Sequence, residues 1–193
     1  MKYVVNKATL KRIGTEVISY IKSNTRQGID RFGKQFVPYS RRPFSMPLGA
    51  FYEQTTKQQR TRLNKDGDLQ IYRSKRSGAR WVTIDGGYAM FKAMRFPNQN
   101  GVVNLSVRGN RGGMMGALQI IEERTNSVVI GFSSEEAAKL AYYHTVSGAG
   151  RSRVIRDFFG VTAEQLRELE EIAIKGVEVE LSVLGKPFRF KAE

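Results

Sequence analysis

The sequence predicts an α+β fold, with antiparallel hairpins packed against several separate helices and one extended aromatic, proline-rich arm. Three observations predict it. Val177, Val179, Leu181 and Val183 alternate strictly with Glu178, Glu180 and Ser182, the period of a half-buried strand. Leu10, Ile13, Val17 and Ile21 recur at three- and four-residue spacing, the period of a helix with one apolar face. The order of these signals lacks the regular strand–helix–strand alternation that builds a parallel sheet. The chain has 193 residues, and chains of about 100–200 residues usually form one domain, so the expectation is a single domain over 1–193.

The elements follow in order. The first helix is expected over 4–23, with Lys11, Arg12, Glu16 and Lys22 off its apolar stripe and Gly28 closing its neighbourhood. Residues 28–51 hold Gly33, Pro38, Pro43 and Pro47, which oppose a long regular element. They also hold Phe32, Phe36, Tyr39, Phe44, Leu48 and Phe51, so this extended arm must pack on its own domain or on a neighbour. Residues 53–65 read as an exposed helix. Residues 69–73 and 79–84 read as a hairpin around the turn SKRSG, with a basic rim of Arg73, Lys75, Arg76 and Arg80. Gly86 and Gly87 precede a short helix over 88–95.

Val103, Leu105 and Val107 alternate as a strand, and a glycine-rich turn leads to Met114 and Met115. Residues 117–123 and 127–132 pair across Arg124, Thr125 and Asn126. Ser133 or Ser134 caps a helix with Glu135 and Glu136 in its first turn, running to about His144. Thr162 and Gln165 form a capping box for a last helix with Leu166, Leu169 and Ile172 on its apolar face. A C-terminal hairpin over 177–190 turns at Gly185-Lys186-Pro187.

Cysteine is absent, which excludes disulfides and thiolate chemistry. No apolar run approaches the roughly 20 residues of a membrane span, and the first residues lack the apolar core of a signal peptide. The glycine-rich segments have neither P-loop nor dinucleotide spacing. His144 is the one histidine, so a paired-histidine metal site has nothing to build on. The glutamate clusters fall where solvated faces are expected, and no catalytic, metal or cofactor residue is assigned. The net charge of +14 is lopsided: residues 1–100 hold 20 Lys/Arg and 6 Asp/Glu, residues 101–193 hold 12 of each. Such asymmetry suits a polyanion or an acidic protein partner. Basic residues interleave with Tyr39, Phe44, Tyr72 and Trp81, which fits phosphate contact with base stacking and equally an interface with an acidic protein.

Three blocks carry a likeness. They are GIDRFGKQFVPYSRR (28–42), the run from DGGYAMFKAMRF (85–96) to VVNLSVRGNRGGMMGAL (102–118), and VVIGF (128–132) followed by AAKLAYYHTVSGAGRSRVIRDFFGVTAEQLRELEEI (137–172). In this order they resemble the virion morphogenesis proteins of tailed phages, the tail-completion or neck family, over most of residues 10–172. The basic hairpin and the C-terminal hairpin lie outside the matched part, and the family often has Trp where Phe36 stands. The resemblance implies a structural virion protein rather than an enzyme, made in the host cytoplasm. It would form a homo-oligomeric ring at the neck or head-proximal tail, contacting other neck, tail or portal-adaptor proteins, with transient contact to genome DNA and none to membrane. Under it, Phe32, Phe36, Tyr39, Arg41, Arg42 and Phe44 of the arm would dock on an adjacent subunit, and Arg151, Arg153 and Arg156 would lie in a subunit-contact loop. Phe158 and Phe159 are expected to fill the core. The alternative from another class is a basic accessory protein that binds nucleic acid without sequence preference.

Overall fold

The computed structural model describes residues 2–95, 105, 113–148, 153–183 and 186–191. In chain order its elements are β1 (Lys2–Val5), α1 (Lys7–Gln27), β2 (Phe44–Pro47), α2 (Leu48–Gln54), α3 (Lys57–Lys65), β3 (Leu69–Arg73), β4 (Arg80–Ile84) and α4 (Gly87–Arg95). Then come α5 (Gly113–Gly116), β5 (Leu118–Glu123), β6 (Val128–Phe132), α6 (Glu135–Tyr142), a π-helical turn (Tyr143–Ser147), α7 (Ala163–Lys175), β7 (Val177–Val183) and β8 (Lys186–Lys191). Among the described residues all strand pairing is antiparallel, in three small sheets ordered β1-β7-β8, β2-β4-β3 and β5-β6. The fold is α+β. Where the sequence reading has one domain, the chain divides into two compact units, residues 37–104 and the two flanking segments 1–36 and 105–193.

In the flanking unit, the Asn6 side chain accepts the Thr9 N–H at 2.8 Å and starts α1, which ends at Gly28 in the left-handed conformation. Helix therefore begins later than position 4. Residues 2–5 are instead a strand, its four residues in register with Val177–Glu180 of β7, and the Asn6 N–H donates to the Gly176 carbonyl at 3.1 Å. Four residues without alternation carry no local strand signal; only the partner across the sheet defines them. Leu10 and Ile21 are buried along the expected stripe, each contributing about 1.5–3 kcal/mol if fully removed from water. Gly14 allows close approach to the β5–β6 hairpin, since a side chain there would collide with Ile120.

The two ends of α1 and α7 are joined by a reciprocal amide pair. Asn24 donates to the Gln165 Oε1 and Gln165 donates back to the Asn24 Oδ1, both at 2.9 Å. Gln165 is also the third residue of the α7 capping box with Thr162, so one side chain both caps its helix and satisfies a buried asparagine. Of the expected α7 face, Leu169 is buried, Ile172 is partly buried and Leu166 is exposed.

The 37–104 unit closes its own core. Met46, Leu48, Phe51, Leu63, Val82, Ile84 and Phe91 form it, with Phe44, Leu69 and Tyr88 packed against it. Pro47 is tolerated in β2 because β2 is an edge strand, where a missing N–H removes no ladder bond. A second capping box, Thr56 with Gln59, starts α3, so the predicted helix over 53–65 is two helices broken at Thr55. Gly87 begins α4 at a positive φ of 71°, packed so closely on the backbone of residues 40–42 that no Cβ fits.

The expected strand at Val103 and Val107, Arg151 and the side chains of Phe188 and Phe190 lie outside the described residues or side chains; Leu105 is fully buried.

Candidate interaction surfaces

The basic hairpin forms in the predicted place. Leu69 to Arg73 pair with Ile84 to Arg80, and Ser74 closes the turn through bonds from its own N–H to Ala79 and from the Gly78 N–H to its carbonyl, each 2.8 Å. Cross-strand partners share a face. Leu69 with Ile84 and Ile71 with Val82 face the core side, and the next rung on that face is Arg73 with Arg80. The apolar face thus ends in two directly opposed arginines, with Lys75 and Arg76 in the turn beyond. All four cations are exposed, and among the described residues none forms an ion pair. Like charges opposed in register are destabilising unless an anion answers them. On the other face Tyr72 opposes Trp81; Tyr72 there, and Ile71 near the end of the first face, are each about half exposed. The unit carrying this hairpin has twelve Lys/Arg and four Asp/Glu, a net of +8 in 68 residues.

The arm over 28–51 does not project as one element. Residues 28–36 fold into a tight turn in which the Asp30 carboxylate accepts the N–H groups of Phe32 and Lys34 at 2.8 and 2.9 Å. Phe36 is buried there, and its N–H donates to the Gly28 carbonyl at 2.7 Å. Phe44 packs its ring against Tyr88 and Phe91 at 5.2 and 5.9 Å, and Tyr39 meets Tyr88 edge-on at 5.3 Å. Phe36, Tyr39 and Phe44 are therefore taken up within their own units, because burying an aromatic ring locally outweighs leaving it for a partner. Phe32, Arg41 and Arg42 stay exposed.

Of the expected contact loop, Arg156 is buried and its N–H donates to the His144 carbonyl at 2.7 Å, so it is a framework residue of the loop rather than a contact. Arg153 is exposed at φ 48°, and no Cβ would fit at Gly148 against its backbone. Asp157 pairs with Arg31 at 2.8 Å, its carbonyl accepts the Arg31 N–H at 3.0 Å, and Gly160 lies against the Arg31 side chain. Phe158 is fully buried; Phe159 is partly exposed and stacks on Phe132 at 5.7 Å. Beside this loop, Tyr142, Tyr143, Val146 and Ile155 are each more than half exposed, a group of large apolar side chains that sequence periodicity did not single out.

The acidic clusters do not converge. Glu122 accepts two bonds from the Arg124 guanidinium at 2.8 Å each, which holds its carboxyl below the usual range. Glu123 meets Lys7 and Lys11, and Glu135 meets Lys139. Among the described residues no group of three or more His, Asp or Glu could hold a metal ion, and no helix is long and apolar enough to cross a membrane. No protein family, curated protein or solved structure matches this chain.

Proposed function

We propose that this chain is a structural virion protein of a tailed phage, a ring-forming neck or tail-completion component joining head to tail, with no catalytic role. The observation that carries the reading is how two of the resembling blocks close on each other. The turn of the first block, through Arg31, is clamped by Asp157 and Gly160 of the third. Segments more than 120 residues apart in the chain thus form one local framework, which suits an architectural role more than chance similarity of short strings. The exposed group Tyr142, Tyr143, Val146 and Ile155 beside that framework supports an assembly role, since large apolar groups in one place mark protein contact. A cyclic ring would use heterologous contacts that close on themselves.

The basic hairpin, with its exposed Tyr72, favours the second reading, an accessory protein bound to nucleic acid. Light scattering of the purified chain at low and high salt, with a DNA mobility-shift control, separates the two. The neck reading expects a closed oligomer, or a monomer that joins purified heads or tails, without tight DNA binding. A monomer whose DNA affinity falls steeply with salt would overturn it, because phosphate neutralisation then dominates.

A further inference from the structure

We infer that the basic β3–β4 hairpin of one copy docks on helix α7 of the next, giving the ring its head-to-tail contact. The inference rests on the ring reading and names the two surfaces that would carry it. On the donor side stand Arg73, Lys75, Arg76 and Arg80, exposed and without ion pairs, flanked by the half-exposed Ile71. On the acceptor side, α7 carries four glutamates against Arg167 and Lys175. Glu168 is engaged by the Tyr20 hydroxyl, but Glu164, Glu170 and Glu171 are exposed and, like the four cations, form no ion pair among the described residues.

The apolar part of the surface matches as well. Leu166 and Ile174 are 49% and 69% exposed, and at helical spacing they lie with Glu170 on one outward stripe. Each surface thus holds an exposed aliphatic beside a charge excess, positive on the hairpin and, with four glutamates against Arg167 and Lys175, negative on α7. Exposed ion pairs alone contribute little affinity. Around a desolvated aliphatic contact they steer the encounter, fix the register and penalise wrong partners. Two different patches on one chain make the contact heterologous, the type that closes into rings.

Charge exchange tests this on the full chain. We take one variant with Arg73→Glu, Lys75→Glu, Arg76→Glu and Arg80→Glu, and another with Glu170→Arg and Glu171→Arg, and measure mass by sedimentation at about 0.1 M salt, where the screening length is about 10 Å. Each variant alone should self-associate roughly tenfold to a hundredfold more weakly than the parent chain, because attraction becomes repulsion. An equimolar mixture should regain association at about the parent's strength, since copies that alternate set each hairpin against a helix of opposite charge; that recovery also shows that both variants are folded. A mixture that stays dissociated overturns the inference. So does a hairpin variant that keeps the parent's oligomer, which would leave the ring reading standing with a different contact. Loss of duplex-DNA retention with unchanged oligomer mass would reassign the hairpin to nucleic acid and overturn it too. A parent chain that neither associates nor adds to purified heads or tails removes the ring reading itself.

Discussion

At the scale of single residues, polar side chains join the helices of the flanking unit. The Tyr20 hydroxyl donates to the Glu168 carboxylate, and this bond, aided by partial burial, pushes the phenol up to about 12 from its ordinary 10.0. The folded value lies above the unfolded one, so the stabilisation is complete below pH 10 and is lost as pH rises towards 12. Tyr20→Phe should cost about 0.5–1.5 kcal/mol at neutral pH and should remove one ionisation step near pH 12, read by tyrosinate absorbance against the parent protein. The buried Asn24 and Arg156 were illegible in the sequence. A polar residue gives no periodic signal of burial, and the partners that permit it, Gln165 for Asn24, stand far along the chain. Arg156, expected in a contact loop, is buried, which no local signal announces, whereas Arg73, Lys75, Arg76 and Arg80 are exposed in and beside a hairpin turn.

At the scale of elements, legibility follows how local the cause is. Both strands of the basic hairpin, the β5–β6 hairpin, the α7 capping box and the glycine break before α4 were readable, since turn residues and caps act within a few positions. The four-residue strands β1 and β2 were not, because each exists through a partner strand distant in sequence. In the arm the prolines prevent a long element as expected, and of the two partners open to its aromatics, its own domain or a neighbour, Phe36, Tyr39 and Phe44 take the local one. Gly87 supplies a quantitative check. Gly87→Ala places a Cβ against the backbone of residues 40–42 at positive φ and should cost roughly 3 kcal/mol or more in denaturant unfolding. Gly78→Ala, in the basic turn at φ 67° with open space around it, should cost only about 1–2 kcal/mol.

At the scale of the whole molecule, the division of the chain carries its own expectation. The 37–104 segment holds an aromatic core closed by its own residues, together with the single tryptophan, Trp81. Expressed alone it should unfold cooperatively, followed by Trp81 fluorescence, with a stability of only a few kcal/mol because a chain of that size buries about 60% of its surface. A broad, non-cooperative transition would show that the segment depends on the rest of the chain. The flanking unit is of a different kind, because β1 finds its partner in β7, more than 170 positions later. During synthesis, at about 5–20 residues per second, the central unit can mature on the ribosome while β1 waits, its edge unpaired, for some ten to thirty seconds. Over that interval the nascent chain presents an orphan strand to its siblings on the same messenger, the stretch of synthesis at which pairing between copies competes with folding.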